Sequence, residues 1–574
     1  MEPLTFCGSH QSIQDINRLA MDGTGDILLY DPSLNPSEIA GELQRILRSF
    51  ERYGAVSPRM QDGSWLSLPY DRGRAAIPPP KEALLLETAK AYLPEVSVVP
   101  SVRSSCALIR RDIVADFGFL DPAYHTVEGA LTAFCCRMNR YGYSLMAANH
   151  LFLPGAKSPR KDRRDQRRLL KTYPYWRQTV SHYMRCGVHA CDAFLTLLAK
   201  SYYEKPRILL NFLTLSPRHN GTSQVQLSVL RYLLDHCGDA VEISLYAHKE
   251  AARFHRLREY PVRLLSPDRI AGVYHLCYSG TQPFYGGAQL SLAFCCLKNV
   301  YTILDMIMCR CDYLQTVDPW RDAAARLTIS NSDGLIFISR FSRDDYNAYF
   351  SGDPHLAHVR NKVVSLGCPT DGGAVFSPSH GKNPLPFSEY IFVPGSKYTH
   401  KGLRRAVDAV SGSGANYITL GLAKEGFLAD NVYNFPGGSL PDETIHRLYQ
   451  GSLCVLFPSL YEGFGLPVLL AARHGKRVIV MENAINRELL SSFPQLREHM
   501  VFITRFDQIP ARVNQAASLP ALEPAQIPYT QEDSAKQIVG FLEEVLETPV
   551  DSQSLQERWR LASLFLQPDP KNTA

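Results

Sequence analysis

The sequence has no long apolar run. No stretch reaches the roughly 18 consecutive apolar residues that a membrane-spanning helix needs. The N-terminus also lacks a basic segment followed by an apolar one, which is the pattern of a secretory signal peptide. We therefore expect a cytoplasmic protein, and peripheral contact with the inner face of the membrane stays open.

Paired cysteines and a strong net charge are absent as well. The 14 cysteines form no CxxC pair, so we expect buried thiols in a reducing cytosol. A net charge of +5 is small for 574 residues and does not call for nucleic acid. With 45% hydrophobic and 20% charged residues the composition is that of an ordinary globular protein. The length predicts about three to four domains.

What the chain does contain is a strand–loop–helix–strand pattern at 451–482. An apolar run at Leu453–Phe457 is typical of a buried parallel strand, and a loop with two glycines follows it. Pro467 suits the first turn of a helix, which is expected to end at Gly475 before a second buried strand. Such a loop directs a helix N-terminus and the carboxylate of Glu462 into a crevice at the strand ends. The other interpretation is a tight packing turn with a solvated Glu462.

The segment Pro458–Pro467, PSLYEGFGLP, resembles the donor-site signature of retaining glycosyltransferases of family 4. That family has the GT-B fold of two Rossmann-like domains, and the resemblance covers about residues 205–545. It implies that Glu462 contacts hydroxyls of the transferred sugar and is a catalytic residue. It also implies that the backbone of three residues lies near the sugar and its phosphates: Gly463, Phe464 and Gly465.

Two positions depart from the family pattern. The family has a second glutamate that holds the ribose hydroxyls, and its place is taken here by Leu470. Losing one charge-assisted hydrogen bond costs about 1.5–3 kcal/mol, which weakens a donor site without abolishing it. The segment Thr302–Met306 resembles the family's T-I-H-D-L segment, but Leu304 replaces the histidine that lies near the transferred sugar. Asp305 is retained.

Other positions match loops that the family uses for the nucleotide. Lys401 matches the lysine that grips the donor diphosphate, which makes it the second expected catalytic residue; a surface lysine is the other interpretation. Lys397 stands beside Ser396, where the family has another basic residue, and is its expected substitute. Gly221 matches a glycine beside the donor phosphates, and Gly438 belongs to a turn that approaches the base. Because fixed cations stabilise the charge on a leaving diphosphate, we expect no metal and no cofactor here.

Residues 20–150 resemble the second half of a family 2 glycosyltransferase of the GT-A type, related to rhamnosyltransferases. Of the family's acidic catalytic cluster only Glu128 is present, and we expect the first β-α-β segment, which holds the nucleotide base, to be missing. A truncated, inactive domain is therefore predicted, with an active second transferase as the competing interpretation. The matching positions are Asp31, Arg110, Arg111, Gly118 and Asp121.

A basic segment, Lys157–Lys171, holds eight basic and two acidic residues. The first interpretation is a solvated charged helix or linker. The second is electrostatic contact with an anionic bilayer or a phosphate-bearing lipid acceptor.

Together these patterns predict an α/β protein in which a GT-B pair of Rossmann-like domains follows a truncated GT-A-like domain. The predicted function is retaining transfer of a sugar from a nucleotide-diphosphate sugar to a glycan or lipid-linked acceptor in surface polysaccharide biosynthesis. The alternative is a catalytically inactive scaffold or glycan-binding partner, which a crevice filled by Leu304 and Leu470 would favour. The predicted parts are the GT-A-like domain (1–155), a basic helical linker (156–204), the acceptor-side GT-B domain (205–370), a linker (371–388), the donor-side GT-B domain (389–550) and a polar tail (551–574).

Overall fold

The computed structural model divides into two compact units. The first consists of Met1–Lys205, Leu290–Cys295 and Val550–Ala574, and the second of Pro206–Gln289 and Cys296–Pro549. Within the described ranges no helix is long and apolar enough to cross a membrane. The structure describes residues 4–60, 64–67, 86–87, 89–90, 93–156, 162–185, 205–218, 220–265, 274–284, 292, 296–314, 319–357, 359–369, 385–550 and 557–558.

The first unit contains a mixed six-stranded sheet. Its strands are β1 (Leu4–Gly8), β2 (Asp26–Tyr30), β3 (Tyr53–Met60), β4 (Val96–Val98), β5 (Cys106–Ile109) and β6 (Ser144–Leu153). Their order is β1-β2-β5-β3-β6-β4, in which β1–β2 and β3–β6 pair in parallel and the other neighbours antiparallel. The helices are α1 (Ile13–Asp22), α2 (Ser37–Arg48), α3 (Arg111–Phe117), α4 (Val127–Arg140), α5 (Arg163–Thr172) and α6 (Trp176–Arg185).

The described part of the basic segment is the helix α5, whereas 157–161 lie outside the described residues. Asp165, in its first turn, is buried and accepts hydrogen bonds from the backbone N–H groups of His125 and Thr126 at 2.7 and 2.9 Å. Leu169, one turn later, is also buried. This face anchors α5 in the first unit, and the arginines of the helix are exposed.

The second unit contains two seven-stranded sheets. The first has only parallel pairs and the order β13-β12-β11-β10-β7-β8-β9. Its strands are β7 (Arg207–Phe212), β8 (Glu242–Ala247), β9 (Arg263–Leu265), β10 (Tyr274–Ser279), β11 (Cys296–Ile303), β12 (Gly334–Phe337) and β13 (Asn361–Val363).

The second sheet has the order β16-β17-β15-β14-β18-β19-β20, and β16–β17 is its antiparallel pair. Its strands are β14 (Ile391–Pro394), β15 (Tyr417–Leu420), β16 (Gly426–Ala429), β17 (Val432–Phe435), β18 (Val455–Phe457), β19 (Val478–Met481) and β20 (Met500–Ile503). In both sheets the strand order reverses beside the first strand, β7 or β14, which is the Rossmann-like arrangement. The predicted α/β class with two Rossmann-like sheets is confirmed.

The helices of the second unit connect these strands. They are α7 (Gly221–Cys237), α8 (Lys249–Phe254), α9 (Ile307–Arg310), α10 (Pro319–Ser330), α11 (Arg340–Tyr349), α12 (Pro354–Ala357), α13 (Leu403–Val410), α14 (Asp442–Gly451), α15 (Leu466–Arg473), α16 (Ala484–Ser492), α17 (Ile509–Ser518) and α18 (Gln531–Glu547). The predicted pattern at 451–482 is present as β18, α15 and β19. Pro467 lies in the first turn of α15, and Gly475, with φ of 68°, follows its end.

The last helix, α18, returns to the first of the two sheets. Its apolar side chains join the core formed by α7 and the strands of that sheet. A Cβ added to Gly334 of β12 would lie 2.9 Å from the ring of Phe541. The buried Lys298 donates hydrogen bonds from Nζ to the carbonyl oxygens of Val545 and Leu546, at 2.6 and 3.0 Å, and so caps the end of α18.

Most of the described cysteines are buried. Burial raises the pKa of the Cys7 thiol to about 11. The Cys7 thiol is therefore protonated and inert at neutral pH. The burial of most described cysteines agrees with the expected buried thiols.

Candidate functional site

A pocket of about 370 Å³ lies in the second unit at the carboxyl ends of strands from both sheets. Four loops bring polar or small residues to it: Gly221 follows β7, Asp305 follows β11, Lys401 follows β14 and Glu462 follows β18. In open parallel sheets the point where strand order reverses leaves a crevice between such loops. The pocket lies in this crevice, at the point of each sheet where the strand order reverses.

Lys401 and Glu462 form an ion pair in the pocket. The Lys401 Nζ lies 2.7 Å from each carboxylate oxygen of Glu462. The two side chains are 21% and 12% exposed, so the pair is largely shielded from solvent. Each partner stabilises the charge of the other, and both remain reachable from the pocket.

Two loops place this pair. Lys401 ends a 3-10 turn, Thr399–Lys401, and Gly402 follows with φ of 65°. A Cβ on Gly402 would lie 2.5 Å from the carbonyl oxygen of Pro458, so only glycine permits this approach. The backbone N–H of Leu460 also donates to the carbonyl of His400 at 2.8 Å. The turn is thereby fixed against the loop that carries Glu462.

The glycine loop after β18 packs closely on loops of the first sheet. A Cβ on Gly463 would lie 2.0 Å from the carbonyl oxygen of Leu304. The carbonyl of Gly463 accepts hydrogen bonds from the hydroxyls of Ser339 and Ser342, at 2.7 and 3.2 Å. This loop therefore closes one side of the pocket by backbone contact.

Two helix N-termini border the pocket. The first turn of α7 lines it, and Asn220 caps that helix by accepting from the N–H of Ser223 at 2.7 Å. Gly465, with φ of 112° and no side-chain cap, precedes α15, and Leu466 and Pro467 of its first turn line the pocket. The positive ends of both helix dipoles thus face a space that would suit an anion.

Two titratable groups beside the ion pair have shifted pKa values. Burial raises the pKa of Asp305 to about 6, although its hydrogen bond from the N–H of Ile307 and the nearby Lys401 act in the opposite direction. Burial, reinforced by Lys401, lowers the pKa of His400 to about 4. Its Nδ1 lies 2.8 Å from the hydroxyl of Tyr313, and the ring is neutral at pH 7.

Six of the eight sequence-predicted site residues line the pocket: Gly221, Lys401, Glu462, Gly463, Phe464 and Gly465. Lys397 is exposed and lies outside the lining formed by the described residues. Gly438 also lies outside it, with φ of 74° and a Cβ position 3.1 Å from the Cδ of Arg218. Leu304 and Leu470 are part of the lining, and the pocket between them is open.

Sequence reasoning missed one side of the pocket. Asp442 and His446 of α14 line it, one helical turn apart on the same face. The Nδ1 of His446 lies 2.9 Å from the Nε2 of His474, so one ring donates and the other accepts. The spacing of the two residues was visible in the sequence, but nothing there indicated which face of α14 meets the pocket.

In the first unit, the acidic residues that matched the GT-A pattern are engaged. The carboxylate of Glu128 pairs with Arg103 at 2.7 Å and accepts hydrogen bonds from the N–H and hydroxyl of Ser104 at 3.0 and 2.8 Å. The carboxylate of Asp31 accepts from the N–H and hydroxyl of Ser33 at 2.9 and 2.8 Å. Glu128 is thus tied to a cation of its own chain.

No protein-family model matches the sequence, and a comparison with curated proteins gives no match either. Solved structures with a similar fold include Anabaena HepE in complex with UDP and glucose, at 14% identity and a TM-score of 0.41 over 58% of this chain and 99% of that one. Another is sucrose-phosphate synthase from Thermosynechococcus elongatus, at 14% identity and a TM-score of 0.35 over 63% and 97%. A third is WaaG, a glycosyltransferase involved in lipopolysaccharide biosynthesis, at 12% identity and a TM-score of 0.32 over 62% and 95%.

Proposed function

We propose that this chain is a retaining glycosyltransferase of the GT-B type that uses a nucleotide-diphosphate sugar as donor. The observation that carries the proposal is the Lys401–Glu462 pair in an open pocket at the strand ends of two Rossmann-like sheets. A lysine neutralises a diphosphate, and a carboxylate accepts hydrogen bonds from sugar hydroxyls. A nucleotide sugar is a ligand that offers both groups.

In the proposed reaction, the oxygen of an acceptor hydroxyl bonds the anomeric carbon on the face that the diphosphate leaves, and the hydroxyl proton passes to the departing diphosphate. As the bond between that carbon and the diphosphate oxygen breaks, negative charge builds on the diphosphate oxygen. Lys401 and the N-termini of α7 and α15 would stabilise this charge. An incoming diphosphate competes for Lys401, which frees Glu462 to bind sugar hydroxyls. Because these fixed positive groups supply the stabilisation, we propose that the reaction needs no metal ion.

The proposed acceptor is a glycan or a lipid-linked glycan of the bacterial surface polysaccharide type, on the family resemblance alone. The exposed arginines of α5 are the described part of the basic segment that would contact an anionic membrane or a lipid phosphate. For the first unit we propose an inactive GT-A-like domain. A metal-dependent site of that type needs unpaired acidic groups, whereas Glu128 is paired with Arg103.

A second candidate is a catalytically inactive scaffold or glycan-binding partner. One observation favours it: Leu304 and Leu470 present apolar surface to the pocket where the resemblance implies polar contacts. The pocket they line is open, so the enzyme is the better supported of the two.

Calorimetric titration with UDP, GDP and dTDP tests the proposal. We expect the full-length protein to bind one of them, and Lys401→Ala to weaken that binding at least tenfold because it removes a charge-assisted contact to the diphosphate. Arg404→Ala, a change at an exposed cation three residues away, is the matched control and should bind like the wild type. If the folded wild-type protein binds none of the three, the scaffold is the remaining candidate.

A further inference from the structure

Asp305 is a carboxyl group in the pocket to which the proposed reaction assigns no role. It follows β11, on the side of the pocket that the first sheet provides, and it lines the same space as Lys401 and Glu462. The charges of both these residues act on it. Lys401 therefore has two carboxyl groups near it, those of Glu462 and Asp305, and Asp442 lines the pocket as well.

Among the described residues, one oxygen of this carboxyl group has no hydrogen-bond partner. The Oδ1 accepts a hydrogen bond from the N–H of Ile307 at 3.0 Å, whereas the Oδ2 accepts none from any residue in the described ranges. The Asp305 side chain is half-buried and its Oδ2 keeps some exposed surface, so this oxygen can accept a hydrogen bond from a ligand. The open pocket is the direction from which a ligand can supply the missing bond.

The chemistry of the missing partner follows from the charges. A carboxyl group repels a diphosphate when it is ionised, and Lys401 is the group placed to attract one. A hydroxyl, by contrast, donates to a carboxylate and also pairs with a neutral carboxylic acid. We propose that the Oδ2 of Asp305 hydrogen-bonds a hydroxyl of the transferred sugar, next to the hydroxyls that Glu462 binds. This inference rests on the proposed function, because it requires a nucleotide sugar in the pocket.

The contact should depend on pH. Burial raises the pKa of Asp305 to about 6, and the titratable groups that act on it or that it acts on are Lys401, Glu462, Asp345, Tyr461, Cys309 and Cys311. Above pH 6 the charged form accepts a stronger, charge-assisted bond from a hydroxyl. Below pH 6 the neutral acid makes a weaker bond. Affinity for the nucleotide sugar should therefore increase as the pH is raised from 5.5 to 7.5.

The test compares a nucleoside diphosphate with its glucose conjugate on the same protein. UDP and UDP-glucose, GDP and GDP-glucose, and dTDP and dTDP-glucose are titrated by calorimetry into the wild type, Asp305→Ala and Asp305→Asn. The quantity that matters is the ratio of Kd for the nucleotide sugar to Kd for the sugar-free nucleotide. Asp312→Asn, at an exposed aspartate outside the pocket lining of described residues, is the matched control.

We expect Asp305→Ala to raise this ratio about tenfold or more. The sugar-free nucleotide should bind at least as tightly as to the wild type, because a carboxylate that repels the diphosphate is gone. Asp305→Asn keeps a hydrogen-bonding group without the charge, so its ratio should rise less and lose the dependence on pH. An unchanged ratio in Asp305→Ala, or an equal loss for both ligands, would overturn the inference and leave the proposed function standing. Failure of the wild type to bind any of the six compounds would overturn the proposed function itself.

Discussion

At the scale of single residues, the charges of Lys401 and Glu462 balance each other before a ligand arrives. Lys401 and Glu462 neutralise each other at 2.7 Å in a shielded space. Removing one partner of such a pair leaves the other charge buried and uncompensated, which is more costly than removing both. Effects of Glu462→Ala and Lys401→Ala on binding therefore include this penalty, and the double variant is expected to be better folded than either single variant.

The apolar Leu470 offers a test by gain of function. It lines the pocket from α15, where the family resemblance places a carboxylate that holds the ribose. Leu470→Glu should tighten binding of the preferred nucleoside diphosphate about tenfold, because it adds a charge-assisted hydrogen bond. The measurement is calorimetry, and the 2′,3′-dideoxy form of the same nucleotide is the control. An equal gain for both forms would show that ribose hydroxyls do not lie near residue 470.

Which site residues the sequence could predict depends on where their neighbours come from. Glu462 and the glycines that follow it belong to one contiguous segment, so their motif placed them in the pocket correctly. Lys397 was predicted to replace the basic residue that the family has at the position of Ser396. Its side chain, in the loop after β14, is exposed. His446 was not identified at all, because its pairing with His474 joins two helices that are separate in sequence.

At the scale of elements, glycines set how closely loops approach. Gly463 is an example, because its Cα faces the carbonyl oxygen of Leu304 on another loop. The strand–loop–helix pattern around it was predictable, because apolar runs, glycine and proline mark element boundaries locally. The partner loop was not, because a contact between loops more than 150 positions apart leaves no local trace.

Gly463→Ala should destabilise the second unit by about 1–3 kcal/mol, because the added Cβ would lie 2.0 Å from a backbone oxygen. Gly540→Ala in α18 is the matched control: no atom lies within 4 Å of its Cβ position, and alanine should stabilise that helix by about 0.5–1 kcal/mol. Thermal unfolding measures both changes. A Gly463→Ala midpoint equal to that of the wild type would contradict the close packing of this loop.

At the scale of the whole molecule, the second unit is tied together by its last helix. The chain leaves the first sheet at Gly367 and returns beside it at Thr530, where a Cβ on Gly367 would lie 1.7 Å from a carbonyl oxygen. Helix α18 then packs into the core of the first sheet. The alternation of strands and helices in the sequence made both sheets predictable. The length of each strand was not predictable, because it depends on the strands that pair with it.

The anchoring of α18 depends on a buried lysine. Lys298→Met should destabilise the docking of α18 by about 1.5–3 kcal/mol, because it removes charge-assisted bonds to the carbonyls at the helix end. Lys362→Met is the contrasting change, because Lys362 and its partner Glu544 are 35% and 50% exposed and such a pair contributes at most about 1 kcal/mol. Limited proteolysis near 531–547 reports the difference. Equal protease resistance in both variants would contradict the role given to Lys298.

The measurement that tests the central claim most directly is hydrogen–deuterium exchange of the full chain with and without saturating UDP, GDP and dTDP. Our account predicts that one nucleotide slows exchange in two segments, 398–402 and 462–468, which carry Lys401 and Glu462. The Arg404→Ala protein should show the same protection, and Lys401→Ala should lose it. Protection confined to other segments, or none with any of the three nucleotides, would contradict the claim that this pocket binds the donor.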